Sequence, residues 1–169
     1  KVGERFGYIG SKGKLVIPAK YSSAGKFSEG FAAVGSGDKL GYIDRTGKLV
    51  IPPRFDKAYE FHQGRARVIL DGRIAFIDEK GKVAIGPLPS VGRAFDFSHG
   101  LARIRIKTRW GFIDRAGRQV VPPRYFAAYD FCEGVASVQD EKGWSTIGPD
   151  GKTVLRMGRD WLMTFSGGL

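Results

Sequence analysis

Three aspartates, Asp44, Asp78 and Asp114, recur along the chain, and paired carboxylates are what a glycosidase uses to protonate a leaving group and activate water. Each of the three sits at the same place in its own D-x-x-G turn, however. There a carboxylate hydrogen-bonds backbone amides, and that local role accounts for all of them. Glu29 and Glu133 recur in an F-x-E-G turn and read the same way. His62 and His99 fall at neighbouring positions before the glycine of that turn. With the one cysteine, Cys132, they do not make the three or four convergent ligands a zinc site needs. No motif joins a nucleophile, a base and an orienting group. The glycines are spaced as turns, without the strand–loop–helix context of a phosphate cradle. The chain is therefore expected to be no enzyme and to use no cofactor or metal.

Basic residues are the other chemistry on offer. The formal net charge is +11, an imbalance that favours nucleic acid, anionic glycans or acidic protein surfaces. Arg65, Arg67, Arg103, Arg105 and Lys107 share one parity along two short runs, and Ala66, Val68, Ala102, Ile104 and Ile106 take the other. As strands, these runs present one apolar, inward face and a basic stripe on the reverse. Arg67 and Arg103 are equivalent positions, so stacking of repeats would place them in neighbouring rows. Arg109 extends the stripe. Lys20, Arg54 and Arg124 form a second equivalent set, each directly before an aromatic residue (Tyr21, Phe55, Tyr125). Arginine beside an aromatic ring offers both phosphate contacts and a stacking surface. The candidate anion- or partner-binding residues are thus Arg65, Arg67, Arg103, Arg105, Lys107, Arg109, Arg54 and Arg124. Charged strand faces also serve simply to block edge aggregation.

The elements that must position these residues come in copies. The turn glycines Gly13, Gly47, Gly81, Gly117 and Gly151 set a period of about 34 residues. Phenylalanines Phe27, Phe61, Phe97, Phe131 and Phe165 follow, then second glycines Gly30, Gly64, Gly100, Gly134 and Gly168. An insertion, GPLPSVGR, lies in the third copy. After each second glycine a small-apolar alternation reads as a half-buried strand. The Phe6–Ile9 and Trp110–Ile113 segments suit a pleated surface, and Pro52-Pro53 and Pro122-Pro123 are expected to end or bend a strand at an edge. The recurrent phenylalanines are expected in the core. No segment carries a helical stripe.

The pattern resembles the WG-repeat family of bacterial tandem β-repeats, named for a Trp-Gly pair. The fourth copy carries it almost throughout: Trp110, Gly111, Phe112, Ile113, Asp114, Gly117, Val120, Pro122, Pro123, Tyr125, Ala128, Phe131, Gly134, Ala136 and Val138. Departures occur elsewhere. The name-giving tryptophan is Phe6, Leu40 and Ile74 in the first three copies. The fifth copy keeps Trp144 but follows it with Ser145 and lacks the prolines, as a degenerate or capping repeat would, and Trp161 belongs to that divergent end. The resemblance implies a binding or interaction role and transfers no catalytic residue.

The expected fold is all-β: a single repeat domain over 1–169, with copies near 1–34, 35–68, 69–104, 105–138 and 139–169. The copies would form an open, twisted stack of antiparallel hairpins or, as the alternative, a closed five-bladed β-propeller. The open stack is preferred because the first copy lacks its G-x-A-x-V strand. The expected function is a non-enzymatic module presenting a repeat surface to a protein or peptide. The alternative is a polyanion binder acting through the basic stripe. No apolar run reaches membrane-spanning length, and the compartment is left open.

Overall fold

The structure, a computed structural model, describes residues 3–158. Trp161 of the divergent end and the repeat positions Phe165 and Gly168 lie outside the described residues. The fold is all-β, built as five separate antiparallel sheets, none closed into a barrel. The first pairs β1 (Phe6–Ile9) with β2 (Leu15–Tyr21), and the second orders β3 (Phe31–Ser36), β4 (Lys39–Asp44) and β5 (Leu49–Phe55). The third holds β6 (Lys57–His62), β7 (Arg65–Leu70), β8 (Arg73–Ile77) and β9 (Val83–Leu88). The fourth holds β10 (Val91–Ala94), β11 (Leu101–Ile106), β12 (Arg109–Asp114) and β13 (Gln119–Tyr125). The fifth holds β14 (Ala127–Ala128), β15 (Ala136–Asp140), β16 (Gly143–Ile147) and β17 (Thr153–Gly158). Each complete sheet joins the second half of one sequence copy to the first half of the next, so sheets begin and end inside the copies. The chain forms two compact units, Lys1–Pro89 and Ser90–Leu169, with the boundary along the chain falling in the inserted GPLPSVGR stretch. Among the described residues no helix is long and apolar enough to cross a membrane.

Two kinds of turn connect the strands. In the D-x-x-G turn the aspartate Oδ1 accepts backbone amides: Thr46 and Lys48 on Asp44 (2.9 and 3.1 Å), Lys80 and Lys82 on Asp78 (3.0 and 2.8 Å), Ala116 and Arg118 on Asp114 (both 2.9 Å). The first and fifth copies have glycine, Gly10 and Gly148, where the others have aspartate. They close the same backbone turn, with Gly10 and Gly148 amides donating to Lys14 and Lys152 carbonyls. In the F-x-x-G turn both central residues are left-handed, as in Glu29 (φ 50) with Gly30 (φ 90) and His99 (φ 50) with Gly100 (φ 81). That is the two-residue hairpin whose twist matches the flanking strands. A non-glycine residue there costs about 1 kcal/mol, and contacts to the next turn offset it. The Glu29 carboxylate accepts the Gln63 and Gly64 amides at 2.6 and 2.8 Å, and Ser28 Oγ donates to Phe61 O at 2.7 Å. Ser98 Oγ does the same to Phe131 O at 2.7 Å.

The glycine of the Trp-Gly position, Gly41 or Gly111, has a steric cause. Leu40 opposes Phe55 and Tyr42 opposes Ile51, so Pro52, Pro53 and Arg54 all bulge past Gly41. A Cβ there would lie 2.4 Å from Ile51 O and 2.7 Å from Pro53 N. Gly7 faces the same three-residue bulge, and so does Gly111. In the third sheet only Gly86 and Pro87 separate the partners of Ile74 and Phe76, and the facing residue is Ala75. In the fifth, Met157 alone is extra, near Ser145. A side chain is tolerated only where the bulge is shorter. The prolines bend an edge strand, as expected, rather than ending it.

Both faces of the second sheet are covered. Ile17 and Tyr21 of the first sheet pack on Ala32, Val34 and Ile43 of the second. The second sheet's other face, Ala33, Tyr42, Ile51 and Phe55, packs on Phe61, Ala66, Val68, Ala75 and Ile77 of the third. In the second unit Leu101, Phe112, Val121 and Tyr125 of the fourth sheet pack on Ala128, Phe131, Ala136, Val138 and Ile147 of the fifth. Phe61, Phe97 and Phe131 are buried core residues, as expected. Phe27 is half-buried.

Candidate functional site

The arginine parity is as expected, but its face is not a free outer surface. In β11, Arg103 and Arg105 share the face of Leu101 and Phe112, which packs on the fifth sheet. Alternation shows which residues share a face and nothing of what lies against it. Here the basic stripe lies on the side that the fifth sheet covers. Arg65, Arg67, Arg103, Arg105 and Arg109 are half-buried, and Lys107 is exposed in the β11–β12 turn at φ 53.

In the second unit the guanidinium of Arg103 lies 3.8 Å from the centroid of Phe95 and 5.0 Å from that of Trp110, rings themselves 5.8 Å apart. Arg93 reaches Phe95 at 5.5 Å and Arg105 reaches Trp110 at 5.7 Å. Cation–π attraction suits arginine to these rings, and its apolar stem fills the space between sheets. Arg103 Nη1 donates to Ala128 O, Nη2 donates to Asp130 Oδ2 at 3.4 Å, and Nε lies 3.1 Å from Asp130 Oδ1 without hydrogen-bond alignment. Burial pulls the Arg103 guanidinium down from its ordinary value and the Arg93 charge adds to that, while Asp130 and Tyr129 oppose it. Burial likewise pushes Asp130 up, with Arg103 opposing and Asp96 reinforcing. The Asp130 side chain is still 45 % exposed, so its carboxylate keeps solvent and the pair is a rim contact, not a dry ion pair. The first unit repeats the theme once, with Arg67 3.6 Å from the Tyr59 centroid and Arg65 Nη1 donating to Gly64 O at 2.9 Å. Arg67 thus belongs to one compact unit and Arg103 to the other, each against the equivalent aromatic.

The second arginine set links copies. Arg54 lies 5.0 Å from the Phe55 ring and donates to Gly81 O at 2.5 Å. Arg124 lies 5.0 Å from the Tyr125 ring and donates to Tyr125 Oη at 2.7 Å and to Gly151 O at 3.3 Å. Each therefore caps the turn of the following copy. Arg109 stacks 3.8 Å from the ring of Phe126, which is 45 % exposed.

His99 is a turn residue: Nδ1 lies 3.1 Å from both Ser98 Oγ and Phe131 O, and Nε2 accepts the Glu133 amide at 3.2 Å. His62 Nε2 stands 3.8 Å from Glu60. Among the described residues no three of His, Cys, Asp and Glu converge. The ring partners Tyr59, Phe95 and Tyr129 are what sequence reasoning missed. They stand two residues before the core phenylalanines Phe61, Phe97 and Phe131, so an aromatic recurring at that spacing is the signal that marks them.

The profile of the WG containing repeat matches residues 6–39, 41–73 and 110–144. The chain belongs to the WG-repeat family. The bulge geometry supplies a physical reason for the glycine in that name, since Gly7, Gly41 and Gly111 open or fall within the matched segments. Two solved structures are similar in fold to these WG repeats. One is the extracellular domain of the putative one component system BT4673 from B. thetaiotaomicron, 10 % identical with a TM-score of 0.45 over 88 % of this chain. The other is a protein of unknown function from Bacteroides caccae, 15 % identical with a TM-score of 0.39 over 93 % of this chain. This chain spans 25 % of the first and 70 % of the second. No curated protein matches it in sequence.

Proposed function

We propose that the chain is a non-enzymatic interaction module that presents its repeat surface to a protein or peptide partner. The supporting observation is the edge segment that opens the fifth sheet. It carries Phe126 and Tyr129, 45 % and 48 % exposed, with the Arg109 guanidinium on Phe126 and Trp144 against Tyr129. Tyrosine, tryptophan and arginine are the residues that dominate interface energetics. The recurrent carboxylates are committed to turn amides, which speaks against acid–base chemistry.

A second reading, polyanion binding, draws on the net charge of +11. The charge is spread unevenly, and Arg54, Arg65 and Arg67 lie in the more basic half. Residues 90–169, which hold Arg103, Arg105, Lys107 and Arg109, carry twelve Lys and Arg against eight Asp and Glu, whereas residues 1–89 carry sixteen against nine. Several guanidiniums are also already stacked or hydrogen-bonded. Peptides selected by display on the wild-type chain and measured by fluorescence anisotropy separate the readings. The interaction reading expects roughly tenfold weaker binding to Phe126→Ala/Tyr129→Ala, as for an interface anchor. Equal binding to both proteins refutes the assigned surface. Heparin binding that collapses between about 50 and 200 mM salt supports the polyanion reading instead.

A further inference from the structure

The fourth and fifth sheets carry the same aromatic pair in two different states. In the fourth, Phe95 and Trp110 stand 5.8 Å apart and three arginines surround them: Arg103 at 3.8 and 5.0 Å, Arg93 at 5.5 Å and Arg105 at 5.7 Å. In the fifth, Tyr129 and Trp144 stand at the equivalent positions, also 5.8 Å apart, with the rings closer to parallel (31° against 51°). The backbone places the two pairs identically. The Phe95 amide donates to Arg103 O and the Tyr129 amide to Ser137 O; Arg105 faces Trp110 and Gln139 faces Trp144. Every cation has changed, however. Ala127 replaces Arg93, Ser137 replaces Arg103 and Gln139 replaces Arg105. Among the described residues no lysine or arginine is placed over the Tyr129 or Trp144 ring. Tyr129 is 48 % exposed, and Ser137 carries no cation to set on these rings as Arg103 does in the fourth sheet.

We propose that Tyr129 and Trp144 form a cation clamp that takes the guanidinium of an arginine side chain on the partner. The proposal rests on the interaction-module reading and names the partner's chemistry. Its warrant lies within the molecule, where the sister clamp holds an arginine at the same ring spacing. A planar guanidinium stacks on aromatic faces as an ammonium does not, and removal of the charge at a constant shape costs a modest factor at an exposed site. Trp144 is the fixed jaw, half-buried in β16, and Tyr129 on the edge is the accessible one.

The test is a ¹H–¹⁵N titration that follows the indole N–H signals of Trp144 and Trp110 during addition of N-acetyl-arginine amide or the neutral isostere N-acetyl-citrulline amide. The Trp144 signal is expected to move with the arginine compound and not with citrulline. The Trp110 signal is expected to stay still, since Arg103 already occupies that clamp. Ser137→Arg, which copies the fourth sheet, is expected to abolish the Trp144 response, and Tyr129→Ala to do the same should the refilled variant not fold. In selected peptides, arginine-to-citrulline exchange is expected to weaken binding about two- to fivefold. A Trp144 signal that ignores arginine, or that answers citrulline equally, overturns the clamp. Peptides that bind through Phe126 without an arginine overturn it too and leave the interaction reading standing. Failure of every selected peptide to depend on this surface sinks that reading first.

Discussion

Gly111→Ala tests the cause assigned to the glycine of the Trp-Gly pair. The Cβ introduced there would stand 2.4 Å from Val121 O, 2.7 Å from Pro123 N and 2.9 Å from Pro122 C, all backbone atoms of one bulge. None of these can rotate away as a side-chain tip would, so β13 must shift by several tenths of an ångström against Trp110 and Phe112, its ladder partners. Overpacking of this kind costs about 1–3 kcal/mol, and backbone contacts this short belong at the upper end or beyond, so a loss of about 2–4 kcal/mol is expected. Urea unfolding followed by tryptophan fluorescence measures it as a shifted midpoint at constant slope. Gly134→Ala is the control, because a Cβ there meets nothing within 4 Å and only the left-handed φ of 82° is penalised, at about 1 kcal/mol. The sharper test is rescue. In the third sheet Ala75 faces a bulge of two residues, Gly86 and Pro87, instead of three. Replacing Pro122-Pro123-Arg124 by Gly-Pro is expected to recover most of the loss in the Gly111→Ala background while destabilising the wild type, a coupling that a double-mutant cycle isolates. If Gly111→Ala unfolds within about 0.5 kcal/mol of wild type, or the shortened bulge rescues nothing, the steric account of the motif is refuted.

Arg103→Lys is expected to cost about 1–2 kcal/mol in the same urea assay although it keeps the charge, because an ammonium loses the stacking on Phe95 and the fork onto Ala128 O and Asp130. A lysine variant as stable as wild type would mean that charge alone mattered there. Acid titration probes the D-x-x-G turns. The Thr46 hydroxyl and the Thr46 and Lys48 amides hold the Asp44 carboxyl below its ordinary value of 3.8. In Asp114 burial works upward, and the Arg118 and Ala116 hydrogen bonds outweigh it. A depressed folded-state value stabilises above the unfolded value and is lost as pH falls through the folded one. Urea midpoints are therefore expected to drop below about pH 4, with a shallower drop in Asp44→Asn/Asp114→Asn. An identical acid profile for that variant contradicts the turn role.

Much of the fold was legible because its rules are local. Asp44, Asp78 and Asp114 were placed as turn residues by their spacing to a glycine, and each accepts two backbone amides within its own turn. Pro52-Pro53 and Pro122-Pro123 were placed at sheet edges by the missing donor, and they bend the edge strands β5 and β13. What was not legible depended on residues a whole repeat away. Arg103 was assigned to an outward stripe, and its side chain lies between sheets, 12 % exposed, with Asp130 of the next sheet beside it. Arg54 and Arg124 were candidates for a ligand and instead hold the carbonyls of Gly81 and Gly151. The arginine ring partners Tyr59 and Phe95, two residues before the core phenylalanines Phe61 and Phe97, passed unnoticed because a half-buried aromatic gives no alternation signal of its own.

By itself the sequence determined that this protein is a run of WG repeats, since a period of about 34 residues, turn glycines with positive φ and strand alternation are all set by near neighbours along the chain. Only the tertiary structure decided that the second sheet is covered on both faces, that the copies are cut by sheets spanning their boundaries, and that the aromatic pair clasping Arg103 is repeated at Tyr129 and Trp144 with no arginine over it among the described residues. The reason is geometric. Local patterning says which side chains point the same way, whereas burial, stacking and vacancy depend on what the next sheet sets against them.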